Sequence, residues 1–557
     1  MPRARIIAVA VVVGLSAAGT WFIFDGPSQE TDPAKKLASE KRTFASNDPI
    51  ERACDLDERQ LLRIWRGHHP KHSEDVTIVP QEPNYSGTFG ITSHSGPWDY
   101  LQFVPLVFYG PNRITAQGKT LEQFANVADV FPTIGDLLNV DLPERDGEVL
   151  DEAVLGGTGG VPKLVITIMW DGVGRNVLNQ HPGRWPVLAR MERQGTSYLG
   201  GSVGSSPSIT PATHSTLGTG TYPRTHGVTA IELRDDQGVQ RGAFEGRDPR
   251  DLEVTTYGDE IDRALGNEPK VGMLAWKSWH LGMLGHGTAT EGGDADLLGL
   301  IGEGEITGND EFFYTPDYLD RFAGLEEHAD ELDREDGKAD GEWMGHEILA
   351  QHDNPAWIEY QTDALLETLK REGFGADRVP DLFFTNFKIT DIVGHQYGMD
   401  TEEEAVVLEA QDAALGELLR YLDRAVGDYV VVLTADHGHT PSADRSGAWP
   451  ILQGQLEEDI NAEFGPPEGR SLVQATTAVG PFLDKKVMRD LGVTGADVAR
   501  FLNGYTIADN WNEPELPAGF EDRGDEPVLS AAFSKAQIDD VVECAFGSPS
   551  PPPDLEG

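Results

Sequence analysis

Cations are scarce in this sequence: 44 Lys and Arg stand against 93 Asp and Glu, a formal net charge of −49. So acidic a surface repels nucleic-acid backbones and anionic lipid, which argues against a polynucleotide-binding protein. The same charge keeps a protein soluble at high salt, so a saline habitat and plain solubility are both open readings. Cysteine is scarcer still, with only Cys54 and Cys544, close to opposite ends of the folded part. Outside the cytoplasm they can form one disulfide closing a very long loop; two unpaired buried thiols are the alternative. Membrane-length apolar runs are represented by residues 6–24, an uncharged stretch behind Arg3 and Arg5. It makes roughly 28 Å of helix against a hydrocarbon core of about 30 Å. Residues 1–24 therefore read as a signal peptide or membrane anchor, and the acidic bulk behind it is expected outside the cytoplasm.

What the sequence does hold is a repeated buried-strand pattern. Its 557 residues can bury a sizeable core and make two or three average domains or one large α/β domain with insertions. Residues 163–170, KLVITIMW, are an apolar run of strand length, as in a strand covered on both faces of a parallel sheet. Residues 270–276, 381–387 and 429–434 repeat the pattern. Upstream, residues 56–65 read as an amphipathic helix, 76–79 and 104–109 as strands, and 124–138, carrying Pro132, as a short helical region. Residues 294–354 are acidic and punctuated by Asp-Gly and Gly-Asn, and read as an insertion beside the sheet rather than core.

Functional groups collect beyond the carboxyl ends of strands in open α/β sheets. Asp171 follows the first apolar run directly, although an N-cap aspartate explains it as well. Asp391 and His395 follow the run at 381–387, four residues apart, so a helical turn points them the same way. Asp436 and His437 follow the run at 429–434. Thr210 lies in GSVGSSPSITPATHSTLGTGTYPRTHGV, where Pro211 marks a helix start and makes Thr210 a plausible N-cap among free N–H groups that favour phosphate. Carboxylate and imidazole together suit Zn²⁺, with Mn²⁺ or Co²⁺ as alternatives, whereas Ca²⁺ takes oxygen ligands. The donors are too many for one tetrahedral ion and suit two metal ions about 3.5 to 4 Å apart.

The stretches WDGVGRN, SITPATHSTLGTGTYPRTHGV, DIVGHQYG and TADHGH, in this order and broadly this spacing, resemble the alkaline phosphatase superfamily, most closely its nucleotide pyrophosphatase/phosphodiesterase-like and type I phosphodiesterase members. The resemblance implies an α/β fold with a mostly parallel central sheet flanked by helices. It implies that Thr210 is a covalent nucleophile and itself a metal ligand, that Asp171, Asp436 and His437 hold the metal that activates it, and that Asp391 and His395 hold a second. Lys388, three residues before Asp391, either contacts a substrate phosphate oxygen or is a plain surface lysine. Sulfatases are excluded, because SITPAT does not provide their modified Cys or Ser followed by x-P-x-R.

One part of the family pattern is missing. No histidine follows His439, whereas the family takes the third ligand of its second metal from downstream. Residues 68–111, with TSHSGPWDYLQFVPL, and the following ADVFPTIGDLLNVDLPERDGEVL resemble the family's C-terminal block, in which a histidine in a Gly/Ser turn supplies that ligand. The resemblance thus implies a circular permutation, with His94 as the ligand, His439 as its rival, and Cys54 and Cys544 near the broken junction. The expected organisation is a linker at 25–52, one catalytic domain at 53–547 with its permuted block at 53–155 and the insertion at 294–354, and a flexible tail at 548–557. The expected activity is an extracytoplasmic phosphodiesterase or phosphomonoesterase acting on a small phosphate ester or nucleotide-like substrate. An envelope phospho-group transferase and an inactive binding protein are the alternatives.

Overall fold

The computed structural model describes residues 44–552 and 555, apart from 89, 112, 116–118, 155–159, 236, 237 and 303. The expected signal or anchor at 1–24 lies outside the described residues, among which no helix is long and apolar enough to cross a membrane.

The apolar runs become strands covered on both faces. An eight-stranded sheet is built from β1 (Leu106–Tyr109), β2 (Lys119–Asn126), β3 (Leu164–Trp170), β4 (Thr196–Ser202), β5 (Val271–Ala275), β6 (Leu297–Leu300), β7 (Asp381–Phe387) and β8 (Tyr429–Thr434), in the order β6-β5-β7-β3-β8-β1-β4-β2. Every strand but β1 runs the same way: β1 pairs antiparallel with both β8 and β4, and all other pairings are parallel. The central strands β3, β7 and β8 are buried along their whole length, as expected of strands with helices on both faces. They end in register, with Phe387 beside Trp170 and Thr434 beside Met169. The residues that follow them therefore share one edge of the sheet.

Two expectations about elements are corrected. Residues 124–126 do not join a helix: they close β2, and the helix starts at Val130 after a short turn. Thr133 and Leu137 are buried in that helix, whereas the β2 residues before it pair with β4. The acidic segment 294–354 does not lie wholly beside the sheet either. Its residues Leu297–Leu300 are all buried and form edge strand β6, paired with β5.

The first and last parts of the described chain lie together. Val76–Pro80 pairs antiparallel with Leu529–Ser534, around a second hydrophobic cluster that includes Val76, Leu456, Val498 and Leu529. A third, smaller cluster joins Ala53, Leu61, Phe533 and Val541. Across it, Cys54 and Cys544 are bonded, with a Cα–Cα separation of 5.8 Å and a sequence separation of 490.

Candidate metal centre and nucleophile

Each of the three aspartates lies shortly beyond the end of a central strand, Asp171 after β3, Asp391 after β7 and Asp436 after β8. The N–H of Asp171 donates to Phe387 O at 2.9 Å, continuing the β3–β7 pairing by one residue. Asp171 Oδ2 accepts from Asn386 Nδ2 at 3.3 Å, and its carbonyl accepts from the Thr390 hydroxyl at 2.8 Å. Asp436 Oδ1 accepts from the Gly172 N–H at 2.9 Å. Gly172 must be glycine: its φ is +76°, and a Cβ there would sit 2.8 Å from His439 Nε2 and 2.9 Å from Asp391 Cα. Helix α1 (Thr210–Thr219) carries the threonine, and helix α2 (Ile389–Gln396) carries Asp391 and His395 on one face.

The imidazoles are oriented from behind. His94 Nδ1 donates to Ser208 O at 2.8 Å, His395 Nδ1 to Thr92 O at 2.5 Å, and His437 Nδ1 to Gly438 O at 3.1 Å. A carbonyl can only accept, so in each neutral ring the lone pair is left on Nε2. Those nitrogens converge on Asp391 Oδ1: His395 Nε2 at 3.3 Å, His437 at 3.7 Å and His94 at 3.8 Å, with His439 Nε2 at 3.2 Å. Zn²⁺ with bonds of about 2.0 to 2.1 Å in a tetrahedron sets its donors roughly 3.3 Å apart, which these spacings approach. His437 Nε2 also lies 3.5 Å from Asp436 Oδ2 and 3.7 Å from Asp171 Oδ1. Asp171, Asp436 and His437 make one compact donor group, and His94, Asp391 and His437 another.

These donors lack the partners that buried polar groups ordinarily have. Asp391 Oδ1, Asp436 Oδ2, His437 Nε2 and both ring nitrogens of His439 are buried without a well-formed hydrogen bond. Burial holds His94 and His437 well below the usual imidazole pKa, in the neutral form a metal takes. Burial, reinforced by Asp171, pushes Asp436 well above the usual carboxylate range. Burial also opposes ionisation of Asp391, but Lys388 and then His395 outweigh it and hold Asp391 well below that range. An arrangement of orphaned oxygens beside lone-pair nitrogens fits divalent metal ions of the zinc type.

The structure brings Asp171, Asp391, His395, Asp436, His437, Thr210 and His94 to this one edge of the sheet. Two details differ from expectation. Thr210 is not the N-cap: Ile209 has the extended capping backbone, and Thr210 is the first helical residue. Its hydroxyl is thereby free to accept from Lys388 Nζ at 3.2 Å. Lys388 is not a surface lysine, being 4% exposed with its ammonium 2.9 Å from Asp171 Oδ1 and 2.6 Å from Asp391 Oδ2. Against the cost of burial, Asp171 and Asp391 raise its pKa.

Sequence reasoning passed over a further histidine pair. His214 Nδ1 donates to Thr210 O at 2.8 Å, its ring centre lies 4.7 Å from that of His280, and His280 Nε2 lies 3.6 Å from Asp171 Oδ2. The signal for His214 was its position one turn after Thr210; nothing local marked His280.

Residues 165–466, more than half of the chain, match the family model described as type I phosphodiesterase / nucleotide pyrophosphatase. The chain is 28% identical over 220 residues to alkaline phosphatase PhoK of a Sphingomonas species, covering 38% of this chain and 35% of that one. It is 28% identical over 149 residues to alkaline phosphatase PafA of Elizabethkingia meningoseptica, covering 26% and 27%. The matches thus span about a third or less of these relatives. A crystal structure of wild-type alkaline phosphatase PafA aligns at 17% identity with a TM-score of 0.48, over 65% of this chain and 79% of that one.

Proposed function

Since the chain belongs to the type I phosphodiesterase / nucleotide pyrophosphatase family, we propose that it is a metal-dependent phosphoric ester hydrolase acting through a phosphothreonine at Thr210. The observation that carries this reading is the convergence of unpartnered carboxylate oxygens and imidazole nitrogens beside the Thr210 hydroxyl. Asp171, Thr210, Asp436 and His437 would hold one divalent ion and Asp391, His395 and His94 the other, Zn²⁺ by the character of the donors, with Mn²⁺ second. Bound there, such ions supply Lewis acidity that favours the ionised hydroxyl and offsets charge on the leaving oxygen.

The chain's own residues do the rest. Helix α1 aims its free N-terminal N–H groups at the phosphate. Thr210 Oγ1 attacks phosphorus in line with the ester oxygen; the P–O bond to the leaving group breaks and the phosphothreonine forms. Water then attacks phosphorus, the Thr210–phosphate bond breaks, and the hydroxyl is restored. Lys388, already donating to Thr210 Oγ1, reaches a non-bridging oxygen of the same phosphate. The substrate is a small phosphate ester, and the site of action is outside the cytoplasm. The segment bearing His94 is the family's C-terminal block carried at the N-terminus, a reading supported by the pairing of Val76–Pro80 with Leu529–Ser534.

Hydrolysis of p-nitrophenyl phosphate beside bis-p-nitrophenyl phosphate tests this in the full chain with added zinc. Turnover should vanish with a chelator, return with Zn²⁺, and fall on the order of 10³-fold or more in Thr210→Ala. The preferred ester assigns monoesterase or diesterase action. Turnover that persists in Thr210→Ala sinks the covalent mechanism.

A further inference from the structure

Three buried carboxylates, Asp171, Asp391 and Asp436, meet at this site, and one ammonium lies among them. Lys388 Nζ carries three donors, and it has three acceptors: Asp391 Oδ2 at 2.6 Å, Asp171 Oδ1 at 2.9 Å and Thr210 Oγ1 at 3.2 Å. The side chain springs from the residue between β7 and α2, three positions before Asp391, and is 4% exposed. It has no bulk water to turn into.

The ammonium divides the ligands unequally. Asp391 gives Oδ2 to Lys388 and keeps Oδ1 unpartnered, facing His94, His395 and His439. Asp171 has no such oxygen to spare: Oδ1 accepts from Lys388 and Oδ2 from Asn386. The charge count points the same way. With all three carboxylates ionised, as metal ligands must be, the one ammonium leaves a charge of −2, which a single divalent ion neutralises; a second ion enters a site already balanced, beside a fixed cation.

We propose that Lys388 is a resident cation of this centre and makes its two ligand sets load unequally. The set around Asp391 Oδ1 takes its ion first and holds it tightly. The set of Asp171, Asp436 and His437 binds only by displacing the ammonium from Asp171, and binds weakly. The inference rests on the two-metal reading above and extends it to the order in which the ions load.

The test is Zn²⁺ titration of the metal-stripped full chain by calorimetry, with metal content measured after gel filtration. The wild-type protein should retain one ion, with a second site at least about tenfold weaker, one decade being about 1.4 kcal/mol. Lys388→Met should tighten that second site by about tenfold or more and retain both ions, since the competing charged hydrogen bonds are gone. Lys388→Arg, which keeps the charge, should behave like the wild type. Asp436→Ala should keep the tight ion and His395→Ala should lose it. Two ions of equal affinity in the wild type overturn the proposal, even if Lys388→Met fails to fold; so does a second-site affinity unchanged in folded Lys388→Met. Because hydrolysis is not read, unequal loading in a protein that turns over no ester leaves this inference standing and removes the proposed function. Equal loading in an active enzyme does the reverse.

Discussion

Four imidazole nitrogens approach Asp391 Oδ1, and they are not equivalent. His94 and His395 each anchor Nδ1 on a carbonyl of a neighbouring segment and so present Nε2 as a lone pair. His439 is nearer, at 3.2 Å, but neither of its ring nitrogens is held by a hydrogen bond. Partners that fix the tautomer are what metal-bound histidines ordinarily have. His94→Ala is therefore expected to weaken zinc binding by more than about tenfold, and His439→Ala to weaken it less; equilibrium dialysis against a zinc chelator compares the two. The reverse order would remove His94 from the ligand set and with it the case for a permuted block at residues 53–155. Asp171, Asp391 and Asp436 were legible in the sequence because an apolar run points to a strand end, and a carboxylate just past it has a known address. The burial of Lys388 was not legible. A lysine alone reads as solvent-exposed, and only the three-dimensional meeting of Asp171 with Asp391 gives it a reason to stay inside.

The same contrast recurs among the elements. β3, β7 and β8 could be read because both faces are covered and most positions are apolar, with Asp381 and Asn386 of β7 as buried polar exceptions. β2 (KTLEQFAN) and β4 (TSYLGGS) could not, being respectively polar at one sheet edge and interrupted by glycines. Gly201 is there because a Cβ would meet Val104 O at 2.7 Å, which is a packing demand and leaves no periodicity. β6 was hidden by the acidic residues around it. The loop between the helix Glu58–Gly67 and the strand Val76–Pro80 carries Glu74, a buried carboxyl that accepts from Thr77 Oγ1 at 2.6 Å. Burial pushes Glu74 up to about 7 from 4.5, only partly opposed by Thr77. Between those values the folded chain binds more protons than the unfolded one, so this group lowers stability as pH rises through the window. The full effect is on the order of 3 kcal/mol. Glu74→Gln should flatten the fall in urea midpoint between pH 4.5 and 7; an unchanged slope would mean that Glu74 is ionised within the fold.

At the scale of the whole molecule, one covalent link joins the beginning of the described chain to its end. Cys54 closes the helix Pro49–Cys54, Cys544 lies in the helix Ile538–Phe546, and the small cluster between them includes Ala53, Phe533 and Val541. The cluster is too small to hold two chain ends firmly by apolar burial alone, and the strand pair behind it, Val76–Pro80 with Leu529–Ser534, joins residues far apart in sequence. A cross-link over such a separation restricts the unfolded chain most, and removing one from a native protein costs about 2–5 kcal/mol. A Cys54→Ser, Cys544→Ser variant should lower the urea midpoint accordingly, while zinc content under native conditions should be unchanged, because Asp171, Asp391 and Asp436 follow central strands whose core is a separate cluster. A wild-type midpoint unaffected by reductant would show that the pair contributes nothing to holding the ends together. A variant that loses zinc as well would show that the junction and the sheet edge unfold as one unit, making the strand pair at residues 76–80 and 529–534 part of the scaffold that positions His94.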